Sequence, residues 1–307
     1  GVTAALQLAE GDTCLVPGVA VNEYIRPAFH LYDKLDYVVL NTSTGCPFRC
    51  PFCASHLLSQ GFHQRETDDV VGEILHWHRA SKVRHVAFYD DALLWKHESH
   101  LVPILEKLNE QQLEIQLHTP NGIHPKYMDQ ELAALMYHSG FSTLRLSYES
   151  RDPKRQQEMG GKVSDDELQH AVWALKKTGF DATQISSYVL MGLPGQTIEE
   201  IVDSLLFVLG LGIPVSLASF SPIPGTQSWQ DAIERGDIKS DIDPLLTNNS
   251  IFPLCKNLDI YNVLTSICQM ANESNLILKK GENPFNNSLI MNSLRTVVKS
   301  HGHETID

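Results

Sequence analysis

Three cysteines stand within eight residues, Cys46, Cys50 and Cys53, in the spacing C-x3-C-x2-C. Three thiolates on one loop can ligate three irons of a cubane 4Fe–4S cluster and leave the fourth iron open. An open coordination position is what a catalytic metal needs, as in catalytic zinc sites. Structural zinc is the competing reading. It wants four ligands, commonly from two C-x2-C pairs, and no second pair occurs here, although His56 and His63 stand near enough in sequence to complete such a site. The other cysteines, Cys14, Cys255 and Cys268, are scattered, and the last two are too far apart to hold a second cluster alone.

A disulfide framework would spread its cysteines over a small secreted chain, whereas a tight trio in a 307-residue acidic chain points to a reducing, cytoplasmic setting and a metal. The formal net charge is -13, from 24 Lys+Arg against 37 Asp+Glu. Phosphate backbones attract positive surface, so nucleic acid is not the expected partner. The apolar run 204–220 is interrupted by Gly210, Gly212 and Pro214. It is short for a membrane span and reads instead as the end of a buried helix followed by a buried strand. No membrane association is expected, and no charged segment followed by an apolar core reads as a secretory signal.

The elements that must position the trio repeat as strand–helix units. Apolar, β-branched runs occur at 37–40, 83–89, 113–117, 141–147, 182–191 and 214–220. Amphipathic stretches separate them: Val70, Val71, Ile74 and Leu75 share a face after Thr67. Ser164 with Glu167 and Thr197 with Glu200 match the capping box. Ser139-Gly140-Phe141 and Thr178-Gly179-Phe180 read as two helix–Gly–strand junctions, with Gly as the left-handed cap. Parallel strands need crossover helices, so six such units predict an α/β chain folded as a partial (β/α)6 TIM-type barrel, with an open doubly wound sheet as the competitor. In either fold the ligand lies at the C-terminal strand ends. The expected division is a lead-in over 1–36, taken as the remnant of a missing upstream domain, a barrel over 37–226, and a mostly helical extension over 227–307. In that extension helices are predicted over 226–236 and 258–271, with a polar tail that frays.

The trio follows the first strand, and with aromatic Phe52 just before the third cysteine it resembles the signature of the radical S-adenosylmethionine (radical SAM) superfamily. The resemblance spans about 35–226 and is nearest to cores joined to an upstream cobalamin-binding domain. It implies that Cys46, Cys50 and Cys53 hold the cluster, that the open iron takes the amino and carboxylate groups of S-adenosylmethionine, and that Phe52 lies against the adenine. The second strand ends Phe88-Tyr89-Asp90-Asp91, where the superfamily commonly has Gly-Gly-Glu; Tyr89, Asp90 and Asp91 then meet the methionine ammonium, a charge-assisted contact. An Asp here could equally cap the next helix. Ser147 and Glu149 match the ribose-binding strand end. Gly192, Pro194 and Gly195 match the Gly-x-Pro-Gly turn that meets the adenine. His118 and Asn121 match no cofactor motif and, with Tyr148, are taken as substrate contacts; so is Ser221, whose strand end Phe220-Ser221-Pro-Ile-Pro-Gly225-Thr226 resembles one found in several branches.

The implied activity is reductive cleavage of S-adenosylmethionine to a 5′-deoxyadenosyl radical that abstracts hydrogen from a substrate expected to be a small molecule. An electron donor such as flavodoxin or ferredoxin is the implied partner. Two alternatives stand beside this. One is a cobalamin-dependent radical methyltransferase served by a separate cobalamin domain; no D-x-H-x-x-G cobalamin signature occurs in these residues. The other is a non-catalytic zinc or iron–sulfur module.

Overall fold

The computed structural model describes residues 26–59, 61–161, 163–247 and 254–306. Most of the expected lead-in, 1–25, lies outside the described residues. The rest of it is a short turn at Phe29–Leu31, whose Phe29 ring meets Trp77 edge-on at 5.4 Å.

Six strands form one sheet: β1 (Tyr37–Leu40), β2 (His85–Phe88), β3 (Gln116–Ile123), β4 (Phe141–Glu149), β5 (Ile185–Met191) and β6 (Val215–Ser219). Their spatial order is their chain order, and every neighbouring pair is parallel. A doubly wound sheet reverses its order part-way; an unreversed order keeps the crossover helices on one face and curls the sheet. The fold is a partial barrel. The crossovers carry α1 (Thr67–Ser81), α2 (Leu101–Glu110), α3 (Gln130–His138), α4 (Asp165–Thr178) and α5 (Ile198–Gly210).

Strand side chains alternate between faces, and the two faces differ chemically. Val38, Leu40, Val86, Phe88, Leu117, Leu144, Leu146, Ile185 and Val189 are buried in the apolar core. Each contributes roughly 1.5–3 kcal/mol relative to exposure. The alternate positions carry His85, His118, Thr143, Arg145, Ser147, Ser186 and Tyr188, so the concave face is polar.

Local chemistry sets the helix ends as expected. Ser164 and Glu167 form a reciprocal capping box on α4; on α5 the Thr197 hydroxyl accepts from the Glu200 amide at 3.1 Å, but the Glu200 carboxylate turns to Arg155 and Ser150, so the second expected box is only half formed. Gly140 ends its helix at φ +85°, where an added Cβ would lie 2.6 Å from the Ile115 carbonyl oxygen. The apolar run 204–220 divides into the end of α5 and β6. Among the described residues no helix is long and apolar enough to cross a membrane.

Two expectations need correction. The third strand is not 113–117 but Gln116–Ile123, with register shifts that let it run on past Pro120. His118 therefore lies within the strand and not at the barrel mouth. The C-terminal part is also more ordered than its polarity suggests. After α6 (Gln227–Glu234), α7 (Leu258–Lys279) runs well beyond residue 271, and α8 (Ser288–His301) follows with Asn287 as its cap. The tail does not fray: Thr305 bridges Thr197, the Ile306 amide donates to the Gln196 carbonyl at 3.1 Å, and Ile306 is fully buried. Ile260, Leu264, Ile290 and Leu294 join the barrel's own core. Asn275 of α7 covers the edge of β6, its side-chain amide accepting from the Val215 N–H at 2.9 Å and donating to the Val215 carbonyl at 2.7 Å.

Candidate metal and cofactor site

The cysteine loop begins where β1 ends, and its base is fixed by backbone pairing. Ser43–Thr44 pairs antiparallel with His63–Gln64, closing the loop at its stem. Arg65 just beyond the stem donates to the Asn41 carbonyl at 2.9 Å and pairs with buried Glu73 at 2.8 Å. From the other side Asp90, at the end of β2, accepts from the amides of Thr42 and Ser43 and from both their hydroxyls. Buried His100 contacts the Thr42 carbonyl through Nε2 at 3.1 Å. Burial pushes the His100 pKa down, which keeps the ring neutral and able to donate there. Gly45 turns the chain at φ +74° against the Gly61 carbonyl oxygen, which an added Cβ would meet at 1.9 Å. Only glycine fits.

The three thiols line one cavity of about 290 Å³, shared with Phe48, Ser55, Asp91, Asn121, Gly122 and Tyr188. Cys46 and Cys50 are buried and Cys53 half-buried. Cys53 Sγ lies 3.2 Å from the Ser55 hydroxyl and accepts from its amide at 3.5 Å. Cys46 Sγ is 3.9 Å from the Asp91 carbonyl oxygen. Among the described residues no three His, Cys, Asp or Glu side chains converge on a single ion. The thiols face a shared space instead, and no imidazole or fourth thiol stands in its wall. Three soft sulfur ligands around one cavity, beside a carboxylate, suit a cubane cluster with one open iron and a cationic co-ligand.

The other sequence-predicted residues separate by location. Asp91 lines the cavity. Asp90 does not serve it: the carboxylate is 3% exposed and fully engaged by Thr42 and Ser43, so its part is to shape the loop. Burial pushes its carboxyl pKa up, against the pull of those four groups. The Tyr89 ring is exposed, and its carbonyl accepts from the side-chain amides of Asn41 and Asn121 at 3.1 and 2.9 Å. Asn121 thus braces the end of β2 while lining the cavity. Ser147 is buried on the concave face, packed against Gly122 so closely that a Cβ there would lie 2.2 Å from its oxygen. Glu149 ends β4 in the left-handed region at φ +74°, an unusual conformation for a non-glycine residue and a common mark of functional strand ends.

Tyr148 is a correction. It is buried on the helix-side face, its ring against Phe207 and its hydroxyl donating to Asp165, so it does not reach the mouth. Its contacts with Phe207 and Asp165 of the helices decide this, while Ser147 before it lies on the concave face. His118 lies on the concave face below the mouth, bonded to His85 and Thr143. The Ser221 hydroxyl donates to the Thr247 carbonyl and is engaged with the C-terminal part. Phe52 is half-buried and packs with the apolar cluster of Met159, Leu193 and Phe220. Gly192 and Gly195 both adopt positive φ, and the Pro194 carbonyl accepts from Arg155 at 3.2 Å.

Several functional residues carry no sequence signal of their own. Tyr188 enters the cavity wall and donates to the Pro120 carbonyl at 2.9 Å; only knowing which face of β5 is concave reveals it. Buried Gln196 threads the Gly192–Gly195 turn, its carbonyl oxygen accepting from the Gly192 and Leu193 amides at 2.9 and 3.2 Å and its amide donating to the Leu190 carbonyl. Arg155 and Glu200 form a largely buried bidentate pair at 2.5 and 3.1 Å behind that turn. Phe48 stacks on His124 at 4.5 Å, and Lys126 Nζ lies over the Phe48 ring, 4.9 Å from its centre.

Comparison with known proteins adds three findings. The model of the radical SAM superfamily matches residues 40–208. An uncharacterized methyltransferase of Pyrococcus horikoshii is 26% identical over 203 residues, 66% of this chain and 43% of that protein. Among solved structures, the radical S-adenosylmethionine methyltransferase TsrM of Kitasatospora setae, with tryptophan substrate and a S-adenosylmethionine analog bound, is similar at a TM-score of 0.58 and 17% identity, over 73% of this chain and 44% of that one. The cobalamin-dependent S-adenosylmethionine radical enzyme OxsB is similar at a TM-score of 0.57 and 14% identity, over 84% and 45%. At such identities the structural likeness is one of fold. The chain spans less than half the length of each of these relatives.

Proposed function

Because this chain belongs to the radical SAM superfamily, we propose that Cys46, Cys50 and Cys53 hold a 4Fe–4S cluster at which S-adenosylmethionine is cleaved. The observation that carries this is three thiols of one loop facing a single cavity at the C-terminal ends of β1, β2 and β3. When bound, the cluster supplies the low-potential electron that splits the sulfonium and yields a 5′-deoxyadenosyl radical for hydrogen abstraction.

The chain's own residues then have defined tasks. Asp91, in the cavity wall beside Cys46, is the carboxylate for the methionine ammonium. Ser147 and Glu149, at the end of β4, are the groups for the ribose hydroxyls. The Gly192–Gly195 turn, with Pro194 and with Phe52 packed on the apolar cluster that includes Leu193, forms the adenine side. Asn121 and Tyr188 fix the cavity floor by hydrogen bonds to carbonyls of β2 and β3. Holding donor and substrate in place shortens the radical's reach to its hydrogen and excludes competing reactions. A flavodoxin or ferredoxin is the class of electron donor that fits.

A second reading, cobalamin-dependent methyl transfer, is favoured by the methyltransferase relatives and by the small share of each that this chain spans. Cobalamin would then come from outside the described residues. One experiment separates the readings. Anaerobic reconstitution is expected to load four irons per chain, and dithionite is expected to release 5′-deoxyadenosine from S-adenosylmethionine. Accumulation of S-adenosylhomocysteine only when cobalamin is supplied and reduced to cob(I)alamin, the acceptor of the S-adenosylmethionine methyl, would mark methyl transfer. Zinc at one per chain with no 5′-deoxyadenosine would sink both.

A further inference from the structure

Below the cavity the concave face carries a cation without a counter-charge. Arg145 stands two residues before Ser147 on β4, and Ser186 two residues before Tyr188 on β5, so both lie one pleat repeat, about 7 Å, beneath the cavity floor. They are register partners across the two strands. Among the described residues none is hydrogen-bonded to or ion-paired with the Arg145 guanidinium. The Ser186 hydroxyl, 3% exposed, also has no hydrogen-bond partner among them. Beside this pair runs a chain of polar rings: His85 Nδ1 to His118 Nε2 at 3.0 Å, and His118 Nδ1 to Thr143 Oγ1 at 3.1 Å. We propose that Arg145 and Ser186 bind the anionic end of the substrate, a carboxylate or a phosphate group, with the reacting carbon extending up toward the thiol-lined cavity.

The chemistry of the patch supports an anion over any other ligand. A guanidinium brings a planar fork of donors that matches carboxylate and phosphate oxygens. A buried hydroxyl beside it adds a further donor. A half-buried charge left without a partner is costly, and the cost is removed by a bound anion. Burial and the nearness of His85 and Arg145 push the His118 pKa down, and both its ring nitrogens are taken by His85 and Thr143, so it borders the anion without donating to it. The chain as a whole carries -13, so this positive spot is local and not part of a general anion-attracting field. Depth assigns the anion to the substrate: the methionine carboxylate of the cofactor has its place at the open iron, at the level of the cysteine loop, above Ser147 and Tyr188.

That the anion belongs to a substrate rests on the radical-enzyme reading, but its binding can be measured independently. Calorimetry on the full, iron-loaded chain uses inorganic phosphate in one arm and acetate in the other, and the arm that binds names the group. The wild-type chain is expected to bind one of them, and Arg145→Gln to weaken it about tenfold or more by removing charge-assisted bonds. Ser186→Ala is expected to weaken it about threefold to fivefold, and Arg145→Lys to fall between wild type and Arg145→Gln, since the charge is kept and the planar fork is lost. Affinity for S-adenosylmethionine, measured on the same samples, should change less than twofold in Arg145→Gln, which also controls for folding. Equal anion affinity in wild type and Arg145→Gln, or no binding of either anion, overturns the proposal. So does a parallel loss of S-adenosylmethionine affinity, which would assign the guanidinium to the cofactor. Failure of 5′-deoxyadenosine release in the wild type would instead sink the radical reading and leave the anion data standing.

Discussion

Asp90 accepts a hydrogen bond from the Ser43 amide at 2.7 Å, joining the end of β2 to the start of the cysteine loop. With the Thr42 amide and two hydroxyls this makes one carboxylate the hub of the loop's base. Its neighbour Asp91 faces the cavity. Adjacent acids therefore have opposite duties, and their substitutions should diverge. Asp90→Ala leaves buried donors unpaired and is expected to cost about 2–4 kcal/mol, seen as a lower urea midpoint and poor iron loading. Asp91→Asn should keep both, yet weaken S-adenosylmethionine binding about tenfold by loss of a charge-assisted contact.

Gly45→Ala tests the close approach at the loop's mouth. The Cβ would meet the Gly61 carbonyl at 1.9 Å in a backbone conformation at φ +74°. A loss of about 2–4 kcal/mol is expected, together with fewer irons per chain. Gly72→Ala, on α1 with open space around it, is the control and should stabilise slightly, by about 0.4–1 kcal/mol.

Gln196→Leu removes the side chain that braces the glycine turn from within. The Gly192 and Leu193 amides and the Leu190 carbonyl lose their partner. The expected cost is about 2–3 kcal/mol. Affinity for S-adenosylmethionine should fall with it, while iron content stays at the wild-type level because no cysteine contact changes. Calorimetry and iron assay on the same sample check both halves.

Stability should depend on pH through His100. Its folded pKa lies below the ordinary histidine value because the ring is buried. The unfolded chain therefore takes up its proton first as pH falls. The contribution is complete above about pH 6.5 and is lost as pH drops from there through the folded pKa. His118 carries the same sign. Urea midpoints between pH 7.5 and 5 should fall for the wild type and fall less steeply for His100→Gln. A slope that the substitution leaves unchanged would count against this origin.

Much of the barrel was legible because its signals are local. Six apolar runs, the Ser164 capping box, the Thr197 cap and two Gly junctions each report their own residues, and five of the six strands overlap their runs closely. The third does not: 113–117 is the apolar part, but the strand is held by pairing with β4, which carries it on through polar His118 and Asn121. The same cause displaced Tyr148. Reading it as a mouth residue needed only sequence position, whereas its true side follows from which face of β4 the helices cover. Asp90 looked interchangeable with Asp91 for the same reason. The final helix, α8, has an Asn cap and amphipathic spacing that could have found it. The docked tail had no such signal, since the burial of Ile306 depends on contacts with the start of α5.

Asn275 gives the outer rim of β6 a partner shaped like another peptide unit. A strand from a second molecule arriving there would find the first pairing position already filled and an α-helix standing in its path. A barrel that stops short of closure thus avoids offering that rim as a template for stacking one copy on the next.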